Sequence, residues 1–527
     1  MAVRARVLVA GSACLLALTG CSPIDRSGAS VHPAGPEAIV VPSASSQVVP
    51  TPPRRQSRVA RGDQLDLRQE QAGEWPAATP PVSEAPDAGV DPERAIGVIA
   101  HSLAVRALPS FDAQKIGFLR VGAVVPREAE PAGFEQCAAG WYRIEPDGYV
   151  CVGSAATLDI QHPLVAAARV RPDRDAPLPY VYGMARKPTP PFYVKVPTRD
   201  EQQRYEPDLA AHLARSDSDR WHFARKEPVP ELIRGGRLSP TVRRLDYPKP
   251  IVSLGRARGQ AGFALLHFFE AQERGWALDA ELEVLPLDRL EPVEPSTFQG
   301  VVLDDEMKLP VVFVRTRHAF LYEGTPGRGL SRARRIAYRE AFSITGRTIR
   351  IGVTKYLETR DGFWVPDERL VRVDAFRKAP GWASPGRTWI DVSILEQSLV
   401  AYEGTRAVYA TLVSTGVDGI GDPEKTHSTI QGQFLVHTKH VSITMDGDEV
   451  GDEFDLRDVP YVQYFTRGYA LHAAYWHDSF GQPRSHGCIN LSPLDARWLF
   501  RWTDPPVPER WHGALSLKNG TLVHIHP

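Results

Sequence analysis

Cysteine is scarce: the 527-residue chain carries only five. So small and odd a number leaves at least one thiol without a partner, and a lone thiol in an exported chain is a candidate nucleophile. Net charge is also missing, with 62 basic against 63 acidic side chains. That balance excludes nucleic-acid binding driven by the charge of the whole chain. No His-Glu-x-x-His occurs, and no carboxylate stands at a convincing ligand spacing from the histidines. Both absences argue against a zinc hydrolase built from His472, His477, His486 and Cys488, or from the pairs His437/His440 and His524/His526. Aromatics are few between residues 21 and 92, where Pro, Ala, Ser and Gly dominate. Such a stretch cannot bury enough apolar surface to fold and reads as a disordered Pro/Ala-rich tether. As a coil it would span about 45 Å, and stretched as polyproline roughly 220 Å.

What is present is concentrated near the C-terminus, in Gln482-Pro-Arg-Ser-His-Gly-Cys-Ile-Asn490, with His472 fourteen residues before His486. A thiol is the most nucleophilic side chain at neutral pH, but with a free pKa of about 8.5 it stays mostly protonated until a neighbouring base activates it. A histidine supplies that base. Gly487 lets the backbone approach a bound carbonyl, and the run His486-Gly487-Cys488 can aim successive N–H groups at an oxyanion. The stretch reads as an acyl-transfer site. His477 stays open between assisting the base, lining a donor site and making a structural hydrogen bond.

Ser485-His-Gly-Cys-Ile-Asn490, preceded by Leu471-His-Ala-Ala-Tyr-Trp-His-Asp-Ser-Phe-Gly481, resembles the L,D-transpeptidase catalytic domain of bacterial cell-wall enzymes. The resemblance implies a mainly β fold with a β-sandwich catalytic domain over residues 386–527, and the apolar, β-rich runs at 388–394, 397–402 and 407–413 suit it. It implies Cys488 as nucleophile, His472 as general base and the Ala473 backbone carbonyl as the group orienting the imidazole. Ser485, His486, Gly487, Asn490, Tyr464, Tyr475 and Met445 would shape the oxyanion and substrate pocket, with no metal and no cofactor. The implied substrate is a peptidoglycan stem peptide, cut after its third residue and passed as a thioester to an acceptor amine. One departure is Thr429-Ile-Gln-Gly-Gln-Phe434, where the family usually has Thr-Pro-x-Gly-x-Phe; the missing proline changes loop rigidity and leaves the chemistry alone. The acidic run 446–458, relieved only by Arg457, resembles the family's lid over the substrate groove and would favour a cationic acceptor amine, or is simply a solvated loop.

In chain order, residues 1–20 carry Arg4 and Arg6 and then an apolar run too short to span a membrane comfortably, which reads as a secretory signal. Its ending, Leu18-Thr-Gly-Cys21, resembles a lipoprotein processing box, implying lipid on Cys21 and a protein exported and anchored to a membrane facing the periplasm or wall. Residues 93–160 contain Ala104-Val-Arg-Ala-Leu-Pro109, Ile116-Gly-Phe-Leu-Arg-Val-Gly122 and Gly140-Trp-Tyr-Arg-Ile144, a sequence of short strands resembling a bacterial SH3-like β-barrel. Cys14 leaves with the signal and Cys21 takes lipid, so Cys137 and Cys151 are available to each other and Cys488 is left free. A bridge closing a loop of about 15 residues is worth about 3 kcal/mol in the chain-entropy model.

Residues 161–385 read as an α+β middle region. Helices are expected at 199–213 and 331–342, strands at 262–269, 311–314 and 348–353, and a second SH3-like module at 348–374. Ser492-Pro-Leu-Asp495 starts a helix with a serine cap and a proline in its first turn. Two other readings share the residues: an L,D-carboxypeptidase, in which water takes the place of the amine, and a non-catalytic wall-binding lipoprotein built around the SH3-like part.

Overall fold

From Ala95 onward short runs of alternating and continuous apolar residues dominate, and nearly all of them become strands. The computed structural model describes residues 90–216, 220–239, 251–325, 327–376, 378–447 and 454–527. The predicted signal, Cys21 and nearly all of the predicted tether therefore lie outside the described residues.

The three stretches singled out in the N-terminal unit, at 104–109, 116–122 and 140–144, each contribute a strand. Ala95–Val98 lies between Val124–Pro126 and Ala156–Thr157, while Ser102–Arg106 pairs with Lys115–Arg120 and Trp141–Arg143 with Tyr149–Cys151. Cys137 and Cys151 are joined by a disulfide. The core of this unit, Ile96, Val105, Leu119, Val125, Ile144 and Val150, includes one residue from the far end of the chain, Trp511. The indole lies where a Cβ on Gly117 would come within 2.3 Å of it, so only glycine fits there. Its Nε1–H donates to the Glu145 carbonyl at 2.9 Å, and Gly117 and Phe118 pair with Ala514 and Gly513. The N-terminal and C-terminal regions thus share one sheet and one core. Trp511→Ala should cost about 3–5 kcal/mol and loosen the N-terminal unit as well as its own, read by urea melts monitored in both regions. A melt that moves only the C-terminal probe would contradict the shared core.

Two meanders follow with one strand order. In the first, Val181–Ala185, Gly262–Ala271, Arg274–Asp279, Val284–Pro286 and Leu290–Pro292 run antiparallel, the last closing on the first. In the second, Val311–Val314, Ala341–Ile351, Thr354–Thr359, Trp364–Pro366 and Leu370–Val373 do the same. Their turns match: Asp279 N–H donates to Glu283 O at 2.9 Å and Thr359 N–H to Phe363 O at 2.8 Å, with Leu282 and Gly362 at φ 64° and 82°. Pro286-Leu-Asp-Arg-Leu290 and Pro366-Asp-Glu-Arg-Leu370 stand in the same place after each turn. The faint signal at 348–374 caught only the closing strands of a unit that begins at Val311.

The helix expected over 199–213 is broken into Arg199–Tyr205, with a Thr198/Glu201 capping box, and Leu209–Leu213. Pro207 forbids its continuation, and the buried Glu206 carboxylate at the break binds the Arg274 and Arg289 guanidinium groups. The helix expected at 331–342 does not exist. Gly329–Arg335 is an exposed strand paired with Phe320–Thr325, because Gly324, Gly327 and Gly329 at φ 134°, 96° and 95° build a hairpin that overrides the helical propensity of the Arg/Ala run.

The C-terminal unit is a sandwich. One layer, in spatial order, is Val301–Val302, Arg406–Leu412, Ser398–Glu403, Thr388–Ser393, Leu522–His526 and Gly432–Leu435. The facing layer holds the hairpin Thr438–Gly447/Phe454–Thr466 with Tyr469–Ala473 and Ile489–Leu491. Ile390, Leu399, Val441, Leu471, Ile489 and Val523 fill the space between. The helix Pro493–Trp502 begins as expected, its Ser492 hydroxyl accepting from Asp495 N–H, and Lys439 Nζ closes its other end on the Phe500 and Thr503 carbonyls at 2.6 and 2.7 Å.

Candidate functional site

Tyr469–Ala473 and Ile489–Leu491 run parallel, with Leu471 opposite Ile489, His472 opposite Asn490 and Ala473 opposite Leu491. Alternation along each strand sends Leu471, Ala473, Ile489 and Leu491 into the sandwich core. It sends Ala470, His472 and Asn490 to the other face, and Cys488, one residue ahead of Ile489, packs against the cluster that holds Ala470 and Tyr464. The local order of the chain, and not a long-range coincidence, brings these residues together.

His472 is buried, and its Nδ1–H donates to the Ala473 carbonyl at 3.1 Å, which leaves Nε2 as the basic nitrogen. Burial pushes its pKa down to about 4, so the ring is neutral at physiological pH. Cys488 keeps part of its surface open, yet burial pushes its thiol up to about 11, against a smaller lowering by the Ala470 N–H. At rest the pair is therefore a neutral thiol beside a neutral imidazole and not an ion pair. Alkylation of Cys488 by iodoacetamide should accordingly keep accelerating with pH through 9 and 10. A plateau below pH 7 would show a resting thiolate instead.

The motif loop is held tightly. Ser485 pairs with Gly416, its hydroxyl donates to the Cys488 carbonyl, and it accepts from Gly487 N–H at 3.1 Å. That bond removes the Gly487 N–H from the set of oxyanion donors expected from the sequence. Gly487, at φ 120°, has the Tyr469 ring where a Cβ would stand, 2.8 Å away. Its carbonyl accepts from Thr429 Oγ1 at 2.8 Å, so Thr429 anchors the loop although the proline after it is missing. His486 is exposed, its ring 4.8 Å from that of His427. Tyr464 stands beside the sulfur, its hydroxyl pushed up to about 12 by burial and by Cys488. Tyr469, which sequence reasoning missed, is raised by the same two causes. Met445 packs against the apolar cluster that Cys488 borders. Tyr475 departs from expectation: it is buried, and its hydroxyl donates to the Arg457 carbonyl at 3.3 Å, so its ring is wall and its polar end is committed.

His477 makes structural hydrogen bonds. Its Nδ1 accepts from Ser479 N–H at 3.1 Å, which in a neutral ring puts the proton on Nε2, 3.0 Å from the Asn490 amide. The Asn490 oxygen must then face Nε2, since the two amide ends are interchangeable by a flip. Neighbouring Asp478 is held by Ser296 and Arg339 at 2.6 and 2.5 Å.

Among the described residues, one group could hold a metal: Asp391, His524 and His526, whose ligand atoms lie within 4.8 Å of one another. Asp391 and His524 are paired across neighbouring strands, and their core-facing neighbours Ile390, Val392, Val523 and Ile525 place all three on the outer face of the sandwich. The two carboxylate oxygens already take His524 Nδ1 at 2.7 Å and His526 Nε2 at 3.1 Å. These hydrogen bonds account for the cluster as a pin between strands. Cys488, His472, His477 and His486 do not converge as metal ligands.

A neutral thiol near an orientated imidazole is an arrangement with the parts that cysteine acyl transfer needs. Residues 387–525 match the model of the YkuD family, the L,D-transpeptidase catalytic domain. YciB of Bacillus subtilis, a provisionally named L,D-transpeptidase, is 28% identical over 154 residues, covering 24% of this chain and 65% of that protein. L,D-transpeptidase 3 of Mycobacterium tuberculosis, also provisionally named, is 36% identical over 105 residues, 18% of this chain and 38% of that one. The chain thus spans 65% and 38% of these relatives' lengths. A solved L,D-transpeptidase of Xylanimonas cellulosilytica overlaps 29% of this chain and 65% of its own at 24% identity, with a TM-score of 0.20, a likeness too slight to carry an argument.

Proposed function

We propose that the protein is a peptidoglycan L,D-transpeptidase in which Cys488 is the nucleophile, His472 the general base and the Ala473 carbonyl the group that fixes the base. The observation that carries this reading is the His472 imidazole, tied at Nδ1 and presenting Nε2 on the strand beside Cys488. The sulfur attacks the carbonyl carbon of the bond after the third stem residue while its proton passes to His472 Nε2. Collapse of the tetrahedral intermediate expels the amine, which takes that proton, and leaves a thioester. An acceptor amine then attacks the thioester, its proton moves through His472, and the thiol is restored. With the Gly487 N–H engaged, the Tyr464 hydroxyl beside the sulfur is the side-chain donor best placed for the oxyanion.

The remaining assignments belong to the same proposal: lipid on Cys21, a membrane anchor facing the periplasm or wall, a tether through residue 92, and an SH3-like unit at 93–160. The duplicated strand order supports reading 311–373 as a further unit of that kind. The purified mature protein, given a defined disaccharide tetrapeptide, should yield a crosslinked dimer by mass, with Cys488→Ala yielding none. A tripeptide product alone would make it a carboxypeptidase, and no product would overturn the reading.

A further inference from the structure

The acidic run that resembles a lid contains one basic residue, Arg457, and the structure gives it an unexpected partner. Its shortest contacts lie outside the run. Nη1 lies 3.0 Å from Asp279 and 2.6 Å from Glu283, both in the first of the two meanders, while Nε and Nη2 turn back to Asp455 at the longer distances of 3.4 and 3.5 Å. The group sits over the rings of Phe192, on the strand Pro191–Tyr193, and Phe263, of that meander, at 4.3 and 5.4 Å. A charge so enclosed is stable only when paired, and two carboxylates with two aromatic faces complete the pairing.

The neighbouring residues repeat the attachment. Leu456 pairs with Gly262, where a Cβ would fall 2.3 Å from the Tyr475 hydroxyl. The Tyr182 hydroxyl donates to Asp458 O at 2.6 Å, and Asp458, at φ 54°, is bound through its carboxylate by Arg120. A non-glycine residue at positive φ persists only where its surroundings fix it. These three residues belong to Phe454–Thr466, the strand that carries Tyr464 to the sulfur. Met445, Val459 and Val462 of this hairpin share one apolar cluster with Tyr180, Tyr182, Ala264 and Ala280 of the meander region and with Cys488.

We infer that residues 178–293 are a working part of the acyl-transfer site: through Arg457, clasped by Asp279 and Glu283, they set the position of the hairpin that walls the thiol and the donor peptide. Arg457, Asp279 and Glu283 are positioning residues; none touches the reacting atoms. The inference gives the region between the N-terminal unit and the catalytic domain a task in substrate binding. Its substrate arm rests on the transpeptidase reading, while its thiol arm does not.

The test uses the full mature chain. Arg457→Gln alone would strand two buried acids, so it is paired with Arg457→Gln/Asp279→Asn/Glu283→Gln, which removes all three charges and keeps the shapes. With thiol and imidazole untouched, KM for the tetrapeptide donor should rise about tenfold while kcat changes by less than about threefold. Alkylation of Cys488 by iodoacetamide should quicken about fivefold as the wall loosens. Arg457→Lys, which keeps charge and loses the fork, should fall between parent and Arg457→Gln. If these variants do not fold, Glu283→Gln, which leaves Asp279 to hold the arginine, should still raise KM and alkylation in the same direction. A folded variant with both unchanged overturns the inference. If the parent itself turns over no stem peptide, the function reading fails, and the alkylation rates still decide the clasp.

Discussion

Cys488→Ala and His472→Ala each lose at least on the order of a thousandfold in transfer rate, and the double variant loses no more than either alone. The reason lies in the resting state. With the thiol pushed up to about 11, about one sulfur in ten thousand is thiolate at pH 7, so attack requires a base that takes the proton as the bond forms. His472 can do this because burial pushes its own pKa down to about 4 and keeps Nε2 free of a proton. Once the base is gone the thiol is inert, and once the thiol is gone the base has nothing to activate, hence the lack of additivity. His477→Ala should be milder, since that ring holds Asn490 and Ser479 and no reacting atom. Single-turnover assays on the tetrapeptide measure all four variants. Substantial activity in Cys488→Ala would end the proposed mechanism.

Acid should unfold the protein earlier than its carboxylates alone would suggest. His472 and His440 are pushed down to about 4 and His477 to about 3 by burial, and His512 is also lowered by burial. In the unfolded chain each titrates near 6.5. Between these values the unfolded state binds more protons, so stability is complete above pH 6.5 and falls as pH drops toward 4. Each such histidine withdraws up to about 1.4 kcal/mol per pH unit. Asp279 and Glu283 act oppositely, because burial raises them and protonation then favours the folded state. His437 is lowered as well, while buried Asp495 and Asp391-bonded His526 are raised and act with the two acids. The lowered histidines outweigh these, and the net loss between pH 7 and pH 5 should be on the order of 1–3 kcal/mol. Urea midpoints at the two pH values check this, and equal midpoints would show that the histidines are not buried as neutral rings.

Much of the site was legible because its residues are close in sequence. His472 and the Ala473 carbonyl stand on one short strand and Cys488 directly precedes the strand paired with it, so local spacing carries them. The oxyanion set was less legible: whether the Gly487 N–H is free depends on the Ser485 rotamer, and Tyr469 is placed by the register of its strand. The sandwich strands were readable from their apolar alternation. The Gly329–Arg335 strand was not, since its Arg/Ala content favours helix and only its glycines mark the hairpin. Least readable were the contacts between units. Arg457 with Asp279, or Trp511 with Gly117, leaves no periodic trace, because each is a single side chain meeting a surface hundreds of residues away or on another sheet.

The Trp511 contact also bears on the order of events when the chain is made. A polypeptide emerges from its N-terminus, and domains generally fold as they appear. Here the N-terminal unit lacks an indole of its core until nearly the whole chain has followed. Its final consolidation must wait for a loop closure spanning 117 to 511, which is slow compared with local strand pairing. Until then the Gly117 edge is an open strand edge facing whatever else is present, and a nascent chain in that condition is a natural client for a holding chaperone.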